Sequence, residues 1–315
     1  VLSAIVVARN YAKKTMPKKT MPKKGDAMST QNLLVIGQGD IGLPVTNQLA
    51  TDGVFVTGLA RSKREHYDLH DRAQFMQADA LHLTSDQLQT FSAIAIIVTP
   101  DEYSASGYSA SYLAICKHLS SLADKLPQLK RVVFISSTGV YGQDNGEWID
   151  EHTAPIEPER EASKIILQAE RALQQGFNDK AIIIRPSGIY GRERLMRVRK
   201  ARELNKEAVA AEHWSNRIMD RDLVTIIAKV LTLETTDTEQ AKLLKPLYIA
   251  TDYLPVTTLE LDAWLSNKLG AAAAKRDDNK RLTTGKRLHS NIPLTWLSYP
   301  DWQTGYNDIL QHLQE

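Results

Sequence analysis

Gln31-Asn32-Leu33-Leu34-Val35-Ile36-Gly37-Gln38-Gly39-Asp40-Ile41-Gly42 decides how the rest of the chain is read. The apolar run is of strand length and leads directly into Gly37-x-Gly39-x-x-Gly42 and then a helical segment. In that setting each glycine has a task. Gly37 makes the tight turn off the strand, Gly39 lets the backbone approach a pyrophosphate, and Gly42 lets helix and sheet pack closely. The helix N-terminus beyond them offers free N–H groups and the positive end of a dipole to an anion. A plain strand-to-helix turn can use the same glycines, so the spacing carries weight only with the strand before it and the helix after it. The expected dinucleotide contacts here are Gly37, Gln38, Gly39, Asp40, Ile41 and Gly42.

Downstream, strand-like and helix-like segments alternate. Candidate strands are Val54 to Thr57, Phe75 to Ala78, Ala93 to Val98, Val132 to Ser136 and Ala181 to Arg185; helical patterns fall between most of them, notably Ser109 to Leu126 and Ala162 to Leu173. Such alternation implies right-handed βαβ crossovers and a parallel sheet covered by helices on both faces. The expected fold class is α/β, a doubly wound parallel sheet of the Rossmann type over residues 29–190. Past Gly191 the pattern is mostly helical, with a basic segment from Arg192 to Arg202 and a strand-like Leu247 to Ala250. Residues 191–315 therefore read as a smaller, mostly helical substrate lobe, with some segments returning to the core.

The 315 residues are 43% hydrophobic and 24% charged, enough to bury a sizeable core. The longest apolar runs are strand-sized, far short of the roughly 18 residues of a membrane helix. The single cysteine, Cys116, excludes an intramolecular disulfide and fits a reducing, cytoplasmic setting. Residues 1–28 differ from the rest. They hold a tandem TMPKKTMPKK repeat, Thr15 to Lys24, and set Arg9 and six lysines against Asp26, a net charge of +6. The remainder carries −4 of the total of +2, so the folded part gives no case for nucleic acid. The tail reads as disordered, or as upstream sequence joined to a start at Met28. No His-x-x-x-His or His-Cys cluster supports zinc, and neither a Gly-x-x-x-x-Gly-Lys-Ser/Thr loop nor a Gly-x-Ser-x-Gly elbow occurs.

Further motifs accompany the glycine turn: ISSTGVYG from Ile135 to Gly142, Asp150-Glu151, IIIRPSGIYG from Ile182 to Gly191, NRIMDRDLV from Asn216 to Val224 and YIATDYLPVT from Tyr248 to Thr257. In order and spacing they resemble the extended and atypical short-chain dehydrogenase/reductases of the NAD-dependent epimerase/dehydratase type, from about Asn32 to the C-terminus. That resemblance implies a nicotinamide cofactor touching Asp79, Ala80, Thr99, Pro100, Ser136, Lys164, Pro186 and Ser187 besides the glycine turn. Asp79 would meet the adenine amino group; as a bare residue it reads equally as a helix cap. No acid lies between Gly58 and Arg64 to accept from a ribose 2′-hydroxyl, so NADP is expected over NAD, with Arg61 and Ser62 on the 2′-phosphate. A solvated basic loop is the alternative. The family's habit of pairing two helices in a four-helix bundle implies a homodimer.

Active relatives use Tyr-x-x-x-Lys on one helix, the lysine lowering the tyrosine pKa, and a Ser or Thr at the neighbouring strand end. Here the resemblance places Ser137 at the hydroxyl position and Lys164 at the lysine, and Arg160 stands where the tyrosine belongs. No tyrosine occurs between Gly142 and Ile189, so no shift of register restores it. Arginine carries no exchangeable proton near neutral pH. Tyr103, Tyr108 and Tyr112 are the nearest substitutes, though such a group more often serves packing. The family's phosphate-gripping arginine falls on Ser215, with Arg217 close by and Arg192, Arg194, Arg197 and Arg199 on the preceding basic segment. These suit a phosphorylated or acidic small molecule, or simply a solvated helix face. Two functions are compatible with the residues: hydride transfer on a small carbonyl, hydroxyl or sugar-nucleotide-like substrate, or a non-catalytic NADP(H)-binding redox sensor.

Overall fold

The computed structural model describes residues 31–62, 68–202, 211–234, 238–271 and 282–313. The basic tail, and with it the reading of residues 1–28, lies outside them, as do Lys63 and Arg64. The central sheet takes β1 (Asn32–Ile36), β2 (Phe55–Ala60), β3 (Gln74–Gln77), β4 (Ala93–Ile96) and β5 (Arg131–Ile135) from the first half of the chain. After β6 (Asn145–Ile149), which lies elsewhere, β7 (Ala181–Pro186) joins it. Then come β8 (Gly188–Tyr190), β9 (Ala211–Ser215) and β10 (Arg217–Met219) before the last member, β11 (Leu247–Ala250); β12 (Val256–Thr257) and β13 (Leu282–Leu288) complete the strands described. The sheet order is β11-β7-β5-β4-β1-β2-β3, parallel throughout. This is the doubly wound α/β architecture, and the winding reverses between β1 and β4, where a crevice opens at the carboxyl ends.

The inner strands form because both of their faces are covered, so an unbroken apolar run is the stable choice. Every residue of β4, β5 and β7 is buried. The helices Gly42–Thr51 and Asp220–Thr232 share one core layer with Leu33, Val35, Val133 and Ile184. Ala114–Ser121 and Glu161–Phe177 cover the other face, over Leu34, Ile94, Phe134 and Ile183. The 17-residue helix Glu161–Phe177 inserts Ile165, Ile166, Ala169, Leu173 and Phe177 and stops at Asn178, whose φ of 51° breaks the helix. Its outer face carries exposed Gln168, Arg171, Gln174 and Gln175, and neither covering helix shows a large exposed apolar side chain.

The lobe is less helical than its sequence pattern. It is built on a four-stranded sheet, β12-β9-β13-β6, and the two-stranded pair β10-β8. β6 is lent to it from between β5 and the helix Glu161–Phe177. The expected basic helix shrinks to Met196–Ala201. Tyr190, Met219, Leu261, Leu265, Trp302 and Tyr306 form the lobe's own core. No helix among the described residues is long and apolar enough to cross a membrane.

Candidate active site

The glycine turn shapes a cleft of about 550 Å³ along the carboxyl edge of β1, β2, β4 and β5. Gly37 has φ +93°, and a Cβ there would lie 2.0 Å from the Ile97 carbonyl oxygen. A Cβ on Gly42 would lie 1.9 Å from the Gly37 carbonyl oxygen. Both glycines are thus demanded by packing within the protein. Gly39 is different: a Cβ there would meet nothing within 4 Å. Its need for glycine, if any, comes from outside the chain, as it would where a pyrophosphate approaches the backbone. The adjoining helix Gly42–Thr51 has no side chain capping its N-terminus and no acid in its first turn, which leaves that end suited to an anion.

Most of the predicted contacts converge on this cleft. Gly37 to Gly42, Arg61, Ser62, Asp79, Ala80, Thr99, Ser136 and Pro186 all line it. Three do not. Pro100 is buried behind Thr99. Ser187 donates to Thr251 Oγ1 at 3.0 Å and faces a second pocket. Lys164 pairs with Glu161 at 3.5 Å and lines neither cavity. Asp79 accepts from the Leu81 N–H at 2.9 Å and caps the short helix Ala80–His82, while still edging the cleft.

Arginines reach the cleft from two sides, and both are held by carboxylates. Arg61 makes two bonds to Asp101, at 2.6 and 2.5 Å. The Arg61 guanidinium holds the Asp101 carboxyl below its ordinary pKa. Arg194, from the lobe, reaches Asp40 of the glycine turn at 3.1 Å. Two more arginines of the basic segment are committed similarly, Arg192 to Asp308 and Arg197 to Asp262, while Arg199 is exposed to solvent. These arginines tie the lobe together more than they form an open basic face.

Beneath the cleft, Ser136 donates to Glu170, and Glu170 takes Arg185 by two bonds of 2.9 and 2.6 Å. All three are buried. The Ser136 hydroxyl is therefore spent on a tie joining β5, β7 and the helix Glu161–Phe177. Arg185 also lies over the Tyr141 ring, 4.7 Å from its centroid.

Ser137 stands where the strand end turns. Its Oγ accepts from the Gly139 N–H at 3.0 Å, which leaves its own proton free to donate. A Cβ on Gly139 would lie 3.2 Å from both Ser137 Oγ and Ser163 Oγ, so the glycine brings two hydroxyls together. Arg160 is exposed and extended, with φ −70° and ψ 125°, one residue ahead of the helix. Of the substitute tyrosines, Tyr103 and Tyr112 line the cleft, whereas Tyr108 stacks on Tyr112 at 5.6 Å. Tyr112 is presented by a π-helical segment, Ser109–Leu113, a local widening often found at functional sites. Burial and then the neighbouring Tyr108 and Tyr103 push its phenol up to about 12. That is opposite to the direction a lysine partner would move it.

The second pocket, about 280 Å³, continues from the same strand ends. Thr138, Gly139, Ser187 and Gly188 line it, and the lobe adds Arg197, His213, Trp214, Arg217 and Lys286, while Ser137 itself lines neither cavity. Lys286 and His213 carry no local sequence signal; they arrive by strand pairing between β9 and β13. No group of three His, Cys, Asp or Glu side chains among the described residues could hold a metal ion.

A parallel doubly wound sheet with an open glycine turn at its switch point defines a dinucleotide-binding protein. Residues 33–227 match the model of the NAD dependent epimerase/dehydratase family. A protein from Methylobacillus flagellatus, assigned to the NAD-dependent epimerases/dehydratases, is 30% identical and superposes with a TM-score of 0.72 over 91% of this chain and 100% of its own. UDP-glucuronic acid 4-epimerase from Bacillus cereus, in complex with NAD, superposes at 0.67 with 17% identity over 89% of this chain and 99% of its own. No curated protein matches the chain. The chain belongs to the NAD-dependent epimerase/dehydratase family.

Proposed function

We propose that the protein is an NADP(H)-dependent oxidoreductase acting on a small carbonyl or hydroxyl compound, with a proton path that does not use the family tyrosine. One juxtaposition carries this reading: at the ends of β5 and β7 the lining passes from the dinucleotide cleft, at Ser136 and Pro186, to the second pocket, at Thr138 and Ser187, with Ser137 standing between the two in the chain. The open face of Gly39 and the uncapped helix behind it suit a pyrophosphate, and Arg61 with Ser62 suits a 2′-phosphate. A nicotinamide cofactor, when bound, supplies hydride exchange. The chain supplies the rest. Gly37 to Gly42 seat the phosphates and Asp79 and Ala80 border the adenine end; Lys164, which lines neither cavity, would have to leave Glu161 to reach the ribose. Ser137 donates a hydrogen bond to the substrate oxygen and polarises it; on reduction that oxygen takes its proton from water, and on oxidation it returns one there.

The test is direct. Nucleotide-stripped protein is titrated with NADPH and NADH by calorimetry, then screened against carbonyl compounds by NADPH absorbance. Turnover that Ser137→Ala abolishes while NADPH affinity is kept supports the reading. Failure to bind either nucleotide refutes it. A redox sensor is the second reading, favoured by the exposed Arg160 and by Lys164 facing Glu161. NADPH binding without turnover on any carbonyl compound selects it.

A further inference from the structure

Arg217 is the most unusual charged residue in the lobe. It is 8% exposed, and its Nε has no hydrogen-bond partner among the described residues. Gly188 makes room for it, since a Cβ there would lie 2.7 Å from Arg217 Nη1. The carboxylates that face it do not neutralise it. Asp252 is pushed up to about 8 by burial and is largely protonated at neutral pH. Asp262 is engaged by Arg197 at 3.3 Å and Lys200 at 3.9 Å. A buried cation left without a bonded carboxylate is costly, and an anionic ligand bound against it would offset that cost.

A second cation faces the same space. Lys286 Nζ donates to the carbonyl oxygens of Tyr141 at 2.5 Å and Gln143 at 3.3 Å. An ammonium has three donors, so one is left for the pocket both residues line. Burial lowers the Lys286 pKa, against the pull of Asp144 and Glu147 and with the help of Arg160. An incoming anion would restore it. The indole of Trp214 walls the pocket, held by Arg287 at 5.1 Å from a ring centroid. At about 280 Å³ the space lies at the lower edge of small-molecule sites, which run from about 300 Å³ upward.

We propose that this pocket takes a small organic oxyanion, a carboxylate or phosphate monoester bearing the reacting carbonyl or hydroxyl, gripped by Arg217 and Lys286. The assignment rests on the oxidoreductase reading above for what happens next to Ser137, though not for binding itself. It separates this chain from an enzyme that needs a whole sugar nucleotide in the lobe.

The experiment is calorimetric titration of the full chain, with and without saturating NADPH, using oxalate, inorganic phosphate and UDP-glucuronic acid as separate probes. Oxalate or phosphate is expected to bind in the presence of NADPH, at least tenfold more weakly in Arg217→Met and several-fold more weakly in Lys286→Met. Oxalate alone binding marks a carboxylate substrate, and phosphate alone a phosphate ester. Thermal melts check that Arg217→Met folds; Lys286 is less buried and provides the second variant. Binding only of UDP-glucuronic acid, binding indifferent to both variants, or no binding overturns the proposal. Absent NADPH binding beside anion binding that needs Arg217 and Lys286 leaves the pocket standing and removes the oxidoreductase reading.

Discussion

Asp101 is expected to act as a brake on NADPH. For Arg61 to reach a 2′-phosphate it must exchange the two bonds it makes to Asp101, at 2.6 and 2.5 Å. NADH has no 2′-phosphate and asks for no exchange. The pair is open to water, with side chains 62% and 61% exposed, so its strength is that of a surface pair, about 0.2–1 kcal/mol. Asp101→Asn removes the charge while keeping the shape, and that energy is returned to the phosphate contact. NADPH should bind about 1.4- to 5-fold more tightly, with NADH nearly unchanged. The gain should shrink as salt is raised, because exposed charges are screened. Calorimetry with both nucleotides at low and at physiological ionic strength reads this directly, and Arg61→Ala supplies the opposite arm by weakening NADPH alone. Equal or weaker NADPH binding in Asp101→Asn would refute the reasoning and make the carboxylate a contact of the nucleotide itself.

Three further outcomes follow from buried groups and from the helix start. Glu170→Ala strands Arg185 and frees the Ser136 hydroxyl in a buried setting, so urea denaturation should show a loss of about 3–5 kcal/mol; a loss under 1 kcal/mol would disprove the tie between β5, β7 and the helix. Asp252 has a folded pKa of about 8, raised by burial above its ordinary value, so the folded state binds the extra proton and stability falls as pH rises toward 8, by up to about 1.4 kcal/mol per unit. Asp252→Asn should flatten that slope, and an unchanged slope between pH 5 and pH 8 would rule the group out. Arg160→Tyr should not raise turnover in the NADPH assay, because residue 160 lies exposed ahead of the helix; a clear gain would show that the phenol can reach the cleft.

The central sheet was legible because its inner strands are covered on both sides, and continuous apolar runs such as Ala181 to Ile184 have few other uses. Leu247 to Ala250 was readable for the same reason, even at the far edge of the sheet and in the second half of the chain. The lobe sheet was not. Asn145-Gly146-Glu147-Trp148 and His213-Trp214-Ser215 alternate polar with apolar residues over short spans, and β6 pairs with β13 from the opposite end of the chain. Alternation over so few residues does not stand out, which is why residues 191–315 read as mostly helical.

The site divides along the same line. The glycine turn declares itself in sequence because its requirement is a backbone one, settled within a dozen residues. The charges around it are settled by tertiary pairing. Arg61 meets Asp101 across the cleft, Arg194 comes back to Asp40 from the lobe, and Lys286 reaches the Tyr141 carbonyl from β13. Arg61 and Arg194 were visible and their partners were not; Lys286 was not visible at all. Those partners decide function here. An arginine already bound to an aspartate can receive a phosphate only by exchange, whereas Arg217, buried and without a bonded carboxylate among the described residues, needs an anion to complete it. On the proposed reading, the strongest pull on a negatively charged substrate therefore comes from Arg217, which stands outside the basic segment Arg192 to Arg202.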